Sequence, residues 1–237
     1  MSSSAVLVLG GTGPAGICLL RELIYRNHKV VAYARNAQKI PEDVASSPLI
    51  EIIQGQLNDA EALDTAVSKT NVVVSILGPT SNSRSADPDV LADFYKSFLF
   101  PAMRKHGVKR IIAMGTVSLY APEDGFSFIR SAFVLFVRLV MNGAYNAIVN
   151  IARAFENDAK DLDWTIFRIA VIPGGSDKES WEKDRLDGKT FIGSIGQKGQ
   201  ALVQPRAALA RSLVDGVEGA LDDWIQKMPV VTKLAGS

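Results

Sequence analysis

The stretch "VLVLGGTGPAGICLLREL", residues 6–23, constrains the fold more than any other part of the chain. A run of apolar β-formers gives way to four glycines in seven residues, Gly10, Gly11, Gly13 and Gly16, and helical apolar spacing follows. Glycine turns without a Cβ clash and lets another group approach the bare backbone. A strand, a glycine turn and a helix in that order leave unpaired N–H groups and the positive end of a helix dipole at the turn, which suits a phosphate. Both G-x-G-x-x-G and G-x-x-G-x-x-G fit these residues, in the strand–helix context that a dinucleotide pyrophosphate needs. Pro14 suits the first helical position, where its missing N–H would have gone unpaired anyway. Gly10, Gly11, Thr12, Gly13, Pro14, Ala15 and Gly16 are therefore the expected cradle. A tight turn with no ligand is the competing reading.

The rest of the chain repeats that alternation. Apolar β-branched runs at Ala5–Leu9, Lys29–Ala34, Ile50–Gln54, Val72–Ile76, Arg110–Met114 and Trp164–Ile169 are separated by helical periodicity near 15–27, 59–69, 87–106 and 131–160. Most of these strands are apolar on both faces, as in a parallel sheet covered by helices, and right-handed crossovers then give a doubly wound α/β sheet. The 237 residues, 47% of them hydrophobic, suffice for one substantial core. We expect a single domain over residues 1–237, with about 170–237 forming a variable C-terminal part on the substrate side, including a helix from near Pro205.

A net charge of +1 gives no reason to expect a nucleic-acid or membrane-surface partner. Met1-Ser-Ser-Ser lacks the basic start of a leader, and no run reaches the ~18 apolar residues of a membrane span. A soluble cytoplasmic protein is the default expectation. The single cysteine, Cys18, reads as a small buried hydrophobe and permits no intrachain disulfide.

A fold of this kind that prefers NAD(H) places Asp or Glu at the end of the second strand, ~20 residues after the glycines, to hold the ribose 2′-hydroxyl. Here that strand ends Tyr33-Ala34-Arg35-Asn36. A guanidinium at Arg35 would pair with a 2′-phosphate and stack on adenine, so NADP(H) is the expected cofactor. Lys39 stands one turn later. The alternative for Arg35 is a solvated side chain at the start of a surface helix.

"GGTGPAG", "AYARN", "IQGQLND", "SILGP", "RIIAMGT" and "LDWTIFR" together resemble the short-chain dehydrogenase/reductase superfamily, in particular its atypical, NmrA-like NAD(P)H-binding branch. The resemblance spans roughly residues 5 to 172 and implies a Rossmann-type fold. It further implies that Gln56, beside Leu57, meets adenine where the family often has an acidic residue. Leu77-Gly78-Pro79 would run along the cofactor, and Thr116 would orient a substrate carbonyl. Ile169 to Pro173, including Val171, would pass the nicotinamide end.

Active members usually pair Tyr with Lys in Y-x-x-x-K, one helical turn apart. The best match here, "YNAIV", offers Tyr145 with Val149 in the place of Lys. Without that cation the phenol should keep its ordinary pKa of ~10 and be a reluctant acid–base group. Three readings stay open. One is an NADPH reductase whose proton comes from Tyr145, Thr116 or water. Another is an NmrA-like NADP(H) sensor acting through a partner. The third is a non-redox isomerase or cyclase. An ordinary helix tyrosine is the competing reading of Tyr145.

The segment Phe126–Met141, "FSFIRSAFVLFVRLVM", carries Arg130 and Arg138 on roughly one helix face and is otherwise apolar. It is expected either to bury against the sheet or a second subunit, making a homodimer, or to wall an apolar substrate pocket. "GGSDKESWEKDRLDGK" is offered as a loop closing over that pocket, with Trp181 as a lid contact or packed on its own domain. His28 and His106 read as surface or capping residues, and Asp59, Glu61 and Asp64 as helix decoration. No metal site is expected.

Overall fold

The computed structural model describes residues 5–79 and 87–237. The Met1-Ser-Ser-Ser start, read above for a leader, lies outside them. β1 (Ala5–Leu9) is buried throughout because both of its faces are covered: Leu7 and Leu9 enter one core, Val6 and Val8 another. α1 (Pro14–Tyr25), β2 (Val30–Ala34), a short α2 (Glu42–Ala45), β3 (Ile50–Gln54), α3 (Ala60–Ser68) and β4 (Thr70–Ser75) follow. α4 (Val90–Phe94), a π-helical turn at Tyr95–Leu99 and α5 (Phe100–Lys105) then form the continuous helical stretch expected near 87–106. The remainder runs β5 (Arg110–Thr116), α6 (Phe128–Val140), α7 (Asn142–Asp158), β6 (Asp163–Ile169), α8 (Lys178–Asp184), β7 (Thr190–Gly193), α9 (Arg206–Asp215) and β8 (Val230–Lys233).

The strands form one eight-stranded sheet in the order β3-β2-β1-β4-β5-β6-β8-β7. All neighbours are parallel except β7, which pairs antiparallel with β8. This is the Rossmann-type α/β fold that the alternation called for. Val6 is in register with both Val30 of β2 and Val72 of β4, so β1 stands where the winding reverses. Crossovers leaving β1 and β4 diverge there, which opens a crevice at the carboxyl edge of the sheet.

α3, α5 and α7 cover one face, where Tyr95, Phe100, Phe155 and Trp164 pack with centroids 4.9–5.9 Å apart, edge to face except for the tilted Tyr95–Phe100 pair. α1 and α9 cover the other, with Cys18 fully buried between them and the sheet. Among the described residues, no single helix is long and apolar enough to cross a membrane.

Three departures from expectation have local causes. The helix expected over 131–160 is two helices, α6 and α7, bent by 113°. Met141 leaves the helical region (φ −126°, ψ 43°), and Gly143, a weak helix former, follows at once. β3 is an edge strand, so its exposed Glu51 alternates with half-buried neighbours instead of being covered on both faces. β7 and β8 were not expected as strands; at four residues each they are too short to show a period.

Candidate functional site

The glycine turn crosses the crevice between β1 and β4. Gly10 adopts φ +85°, and a Cβ on it would stand 2.9 Å from the Ile76 carbonyl oxygen. Its own carbonyl accepts from the Gly13 N–H at 3.1 Å, closing the turn. A Cβ on Gly16 would run into that same carbonyl, and one on Gly11 would press the Leu20 side chain at 3.1 Å. Gly10 and Gly16 are therefore required by the chain itself, while a side chain at Gly11 would need Leu20 to give by a few tenths of an ångström. Gly13 is different. Its backbone is extended (φ −80°, ψ 161°), open to any residue, and an added Cβ would find nothing nearer than 3.6 Å. Nothing intramolecular calls for glycine there; a ligand lying against the turn would. Gly13 is also the N-cap of α1, which has no side-chain cap and no acidic residue in its first turn. Its first N–H groups face the turn and suit an anion.

A cleft of about 340 Å³ opens beside this turn. Of the expected cofactor residues, Gly10, Thr12, Arg35, Leu57, Leu77 and Gly78 line it. Gly11 and Gly16 are buried in the turn, Ala15 is half-buried and Pro14 is exposed at the helix start. Arg35 stands exposed at the end of β2. Its carbonyl accepts from Gln54 Nε2 at 3.3 Å, while its guanidinium has no partner among the described residues.

The sequence reading missed Tyr33, which also lines the cleft. Its hydroxyl donates to the Gln56 carbonyl at 2.6 Å and occupies the space where a Gly55 side chain would begin. Burial, with the Asp59 carboxylate nearby, pushes this phenol up to about 12, so it stays neutral. That bond fixes the Gln56 backbone; the Gln56 side chain is exposed and not part of the lining.

A second cavity of about 310 Å³ lies past β5, lined mainly by apolar groups that include Val117, Phe133, Val171, Ile195 and Leu202. Thr116, the last residue of β5, lines neither cavity, but its strand runs between the strands that lead to them. β5 lies between β4, whose continuation Leu77-Gly78 lines the cleft, and β6, whose continuation Ala170-Val171 lines the second cavity. Thr116 Oγ1 accepts from the Ser118 N–H at 3.3 Å, and its own proton has no acceptor among the described residues. Ile169, paired with Thr116 across the strands, is buried in the core and lines neither cavity.

The second cavity rests on a buried ion pair that sequence reasoning did not find. Arg168, the penultimate residue of β6, donates to Asp124 through Nη1 at 2.6 Å and Nη2 at 2.7 Å, and both side chains are essentially inaccessible. Asp124 also accepts from the Ala121 and Ile195 N–H groups at 3.0 and 3.1 Å, and Arg168 Nη1 donates to the Leu119 carbonyl at 2.9 Å. Burial pushes the Asp124 carboxyl up, but the guanidinium and the two N–H donors prevail and hold it below the usual carboxylate range. One pair thus ties the turn after β5, the strand β6 and the loop at Ile195 into a single floor.

Other expectations need correction. Tyr145 lines neither cavity: Gly143 and Ala147 of α7 face the cleft, and Tyr145, two positions from each, points about half a turn away. Its ring lies beside Arg138, whose guanidinium carbon is 6.0 Å from the centroid. Val149, in the place of Lys, packs on the core. The 174–189 segment lines neither of these two cavities. Arg21 and Glu22 are buried on α1 and need partners: Arg21 takes the Ser176 carbonyl and Asp43, and Glu22 takes Arg185 at 2.8 Å. Trp181 is buried in that fastening, edge-on to Tyr25 with centroids 5.6 Å apart. Most of α6 is exposed, so it neither buries against the sheet nor walls a pocket along its length; only Arg130 and Phe133 reach the second cavity. His106 caps α5 and meets Asp64 at 2.9 Å, and His28 meets Glu218 at 2.9 Å, both away from the cavities.

The model of a family described as NAD(P)H-binding matches residues 10–217. No curated protein sequence matches the chain. Among solved structures, an ethylated short-chain dehydrogenase/reductase from Veillonella parvula has a TM-score of 0.74 at 15% identity, covering 99% of this chain and 95% of that one. The wide-type form of that protein, in complex with NADP, has a TM-score of 0.73 at 15% identity, covering 98% and 95%. ChuY, described as an anaerobillin reductase of Escherichia coli O157:H7, has a TM-score of 0.69 at 16% identity and covers 99% of each chain. At these identities the likeness is one of fold.

Proposed function

The chain belongs to the NAD(P)H-binding family, and from that premise we propose that it is an NADP(H)-dependent oxidoreductase reducing a small apolar or aromatic carbonyl or enone. The glycine turn and the first turn of α1 hold the pyrophosphate through backbone N–H groups. Tyr33, Leu57 and Leu77 give the adenine side an apolar wall, and the free guanidinium of Arg35 takes the 2′-phosphate. When bound, the cofactor supplies the hydride.

The observation that carries the reading is the cleft of about 340 Å³ at the glycine turn together with an apolar cavity of about 310 Å³ on the far side of β5, the strand that Thr116 ends. An apolar substrate in that cavity would direct its carbonyl toward the Thr116 hydroxyl, which donates a hydrogen bond as negative charge develops on oxygen. Water then supplies the proton that completes the alcohol. Tyr145 has no part in this scheme.

The test is purified protein with NADPH and a panel of quinones and aromatic ketones. Substrate-dependent loss of NADPH absorbance supports the proposal. The position of Tyr145 outside both cavities favours a second reading, an NADP(H)-sensing regulator. Unequal affinity for NADP⁺ and NADPH with no turnover across the panel would establish that instead. A product of unchanged oxidation state would point to an isomerase or cyclase.

A further inference from the structure

α6 presents an apolar stripe that its own chain does not cover. Phe128 is 75% exposed, Leu135 58%, Phe136 59% and Leu139 75%, with Phe126 at 86% just before the helix and Val140 and Met141 at its end. Phe128, Ala132, Leu135, Phe136 and Leu139 recur at three- to four-residue steps, so they share one face, while Val134 and Val137 turn toward the body. Taking ~200 Å² for a large apolar side chain, the exposed part amounts to roughly 900 Å². That exceeds the ~300–600 Å² of the largest patch on an ordinary monomer and matches the ~800 Å² each partner contributes to a stable interface.

The edges of the stripe carry charge of opposite sign at opposite ends. Arg138 lies beside its C-terminal end. Glu123 is exposed on the turn against which the first turn of α6 is fastened, through the bonds of Arg130 to the Val117 and Leu119 carbonyls at 2.8 and 2.6 Å. Neither Arg138 nor Glu123 has an ion-pair partner among the described residues. A two-fold axis perpendicular to α6 through the middle of the stripe packs the two helices antiparallel and brings each Arg138 toward the other copy's Glu123, whereas an axis along the helix would bring like charges together. An anionic lipid surface would gain nothing from this pattern, whose two charges cancel.

We propose that α6 is a dimerisation helix whose partner is the α6 of a second copy of this chain, packed antiparallel and framed by two Arg138–Glu123 pairs. Phe133, 42% exposed, lines the second cavity and borders the stripe, so the partner helix lies at that cavity's rim.

The experiment is sedimentation equilibrium on the full chain and four variants, with circular dichroism to verify folding. The wild type should be a dimer at micromolar concentration. Leu139→Glu, at an exposed position, should be a folded monomer. Glu123→Arg and Arg138→Glu each reverse two symmetry-related pairs and should raise the dimer dissociation constant at least about tenfold. The double variant should return to within a few-fold of wild type. A wild type monomeric at high micromolar concentration would overturn the proposal, as would a dimer indifferent to Leu139→Glu. Failure of the double variant to recover would overturn the antiparallel arrangement. A monomer that floats with phosphatidylcholine–phosphatidylserine vesicles, and loses this with Leu139→Glu, would assign the stripe to a bilayer instead.

Discussion

Gly13→Ala separates the two reasons a glycine can stand in the turn. At Gly13 the backbone is extended and an added methyl meets nothing nearer than 3.6 Å, so the folded chain tolerates alanine. Two small terms then oppose one another. Alanine restricts the unfolded chain and stabilises by ~0.4–1 kcal/mol, while as an N-cap it is worse than glycine by up to ~1 kcal/mol. Stability should therefore change by less than about 1 kcal/mol, a shift of no more than ~4 °C in Tm for a domain of this size.

Cofactor binding should respond very differently. The methyl would stand at the approach to the turn, where backbone N–H groups meet the pyrophosphate, and each charge-assisted hydrogen bond it prevents is worth ~1.5–3 kcal/mol. Loss of one or two raises the NADPH dissociation constant roughly 10- to 10⁴-fold. Calorimetric titration with NADPH, alongside a thermal melt of the same preparation, reads both quantities. Gly16→Ala is the control, because its methyl collides with the Gly10 carbonyl whether or not a ligand is present, and it should lower Tm outright. If Gly13→Ala melted normally and bound NADPH like the wild type, the turn would be structural only and the cofactor reading would lose its basis.

Arg35→Ala should weaken NADPH about tenfold and leave NADH unchanged, the lower end of the ~1.5–3 kcal/mol range because the side chain is exposed; paired titrations check it, and equal loss for both cofactors would refute the 2′-phosphate assignment. Thr116→Val should lower kcat about 10²-fold with the NADPH dissociation constant unchanged, as for removal of an oxyanion donor, whereas a fall in cofactor affinity would place the hydroxyl elsewhere. Asp124→Ala leaves Arg168 buried and unpaired, at a cost of ~3–5 kcal/mol or about 10 °C in Tm. Because the folded Asp124 carboxyl sits below its unfolded value, its stabilisation is complete at neutral pH and fades as pH falls beneath the ordinary carboxylate range; the Tm gap between wild type and variant should narrow there, and a gap that widened would show the sign to be wrong. Cys18, its thiol pushed up to about 11 chiefly by burial, should resist alkylation near pH 8 until the protein unfolds.

The cradle was legible in the sequence because every constraint in it is local. Gly10, Gly11 and Gly16 act on one another and on neighbours within one strand–turn–helix unit, and Arg35 follows from a fixed offset along the next strand. The Asp124–Arg168 pair was not legible, since its members are 44 residues apart and each imitates something ordinary. Asp124 in "PEDG" looks like a turn residue, and Arg168 in "TIFRI" looks like the end of an apolar strand. Only the register of β5 with β6 brings Arg168 beneath the turn that follows Thr116.

Tyr145 was singled out by its match to Y-x-x-x-K and α6 by its apolar spacing, and neither pattern says what a side chain faces. Periodicity states which residues share a face within one unbroken helix, but the break at Met141 resets the phase, and the packing of α7 turned Gly143 and Ala147 to the cleft in place of the phenol. For α6 the pattern was read correctly as an apolar stripe, yet a stripe does not say what lies against it. An apolar helix face is normally covered by its own domain, so burial against the sheet stood among the expectations beside a second subunit and a pocket wall. Here Arg130 spends its guanidinium on the Val117 and Leu119 carbonyls, fastening the opposite side of the helix to the body. With that side fastened, Phe128 and Phe136 face outward. The arginine that interrupts the hydrophobic run is thus what keeps α6 from turning its stripe inward, and replacing it would disturb the exposed face and the second cavity together.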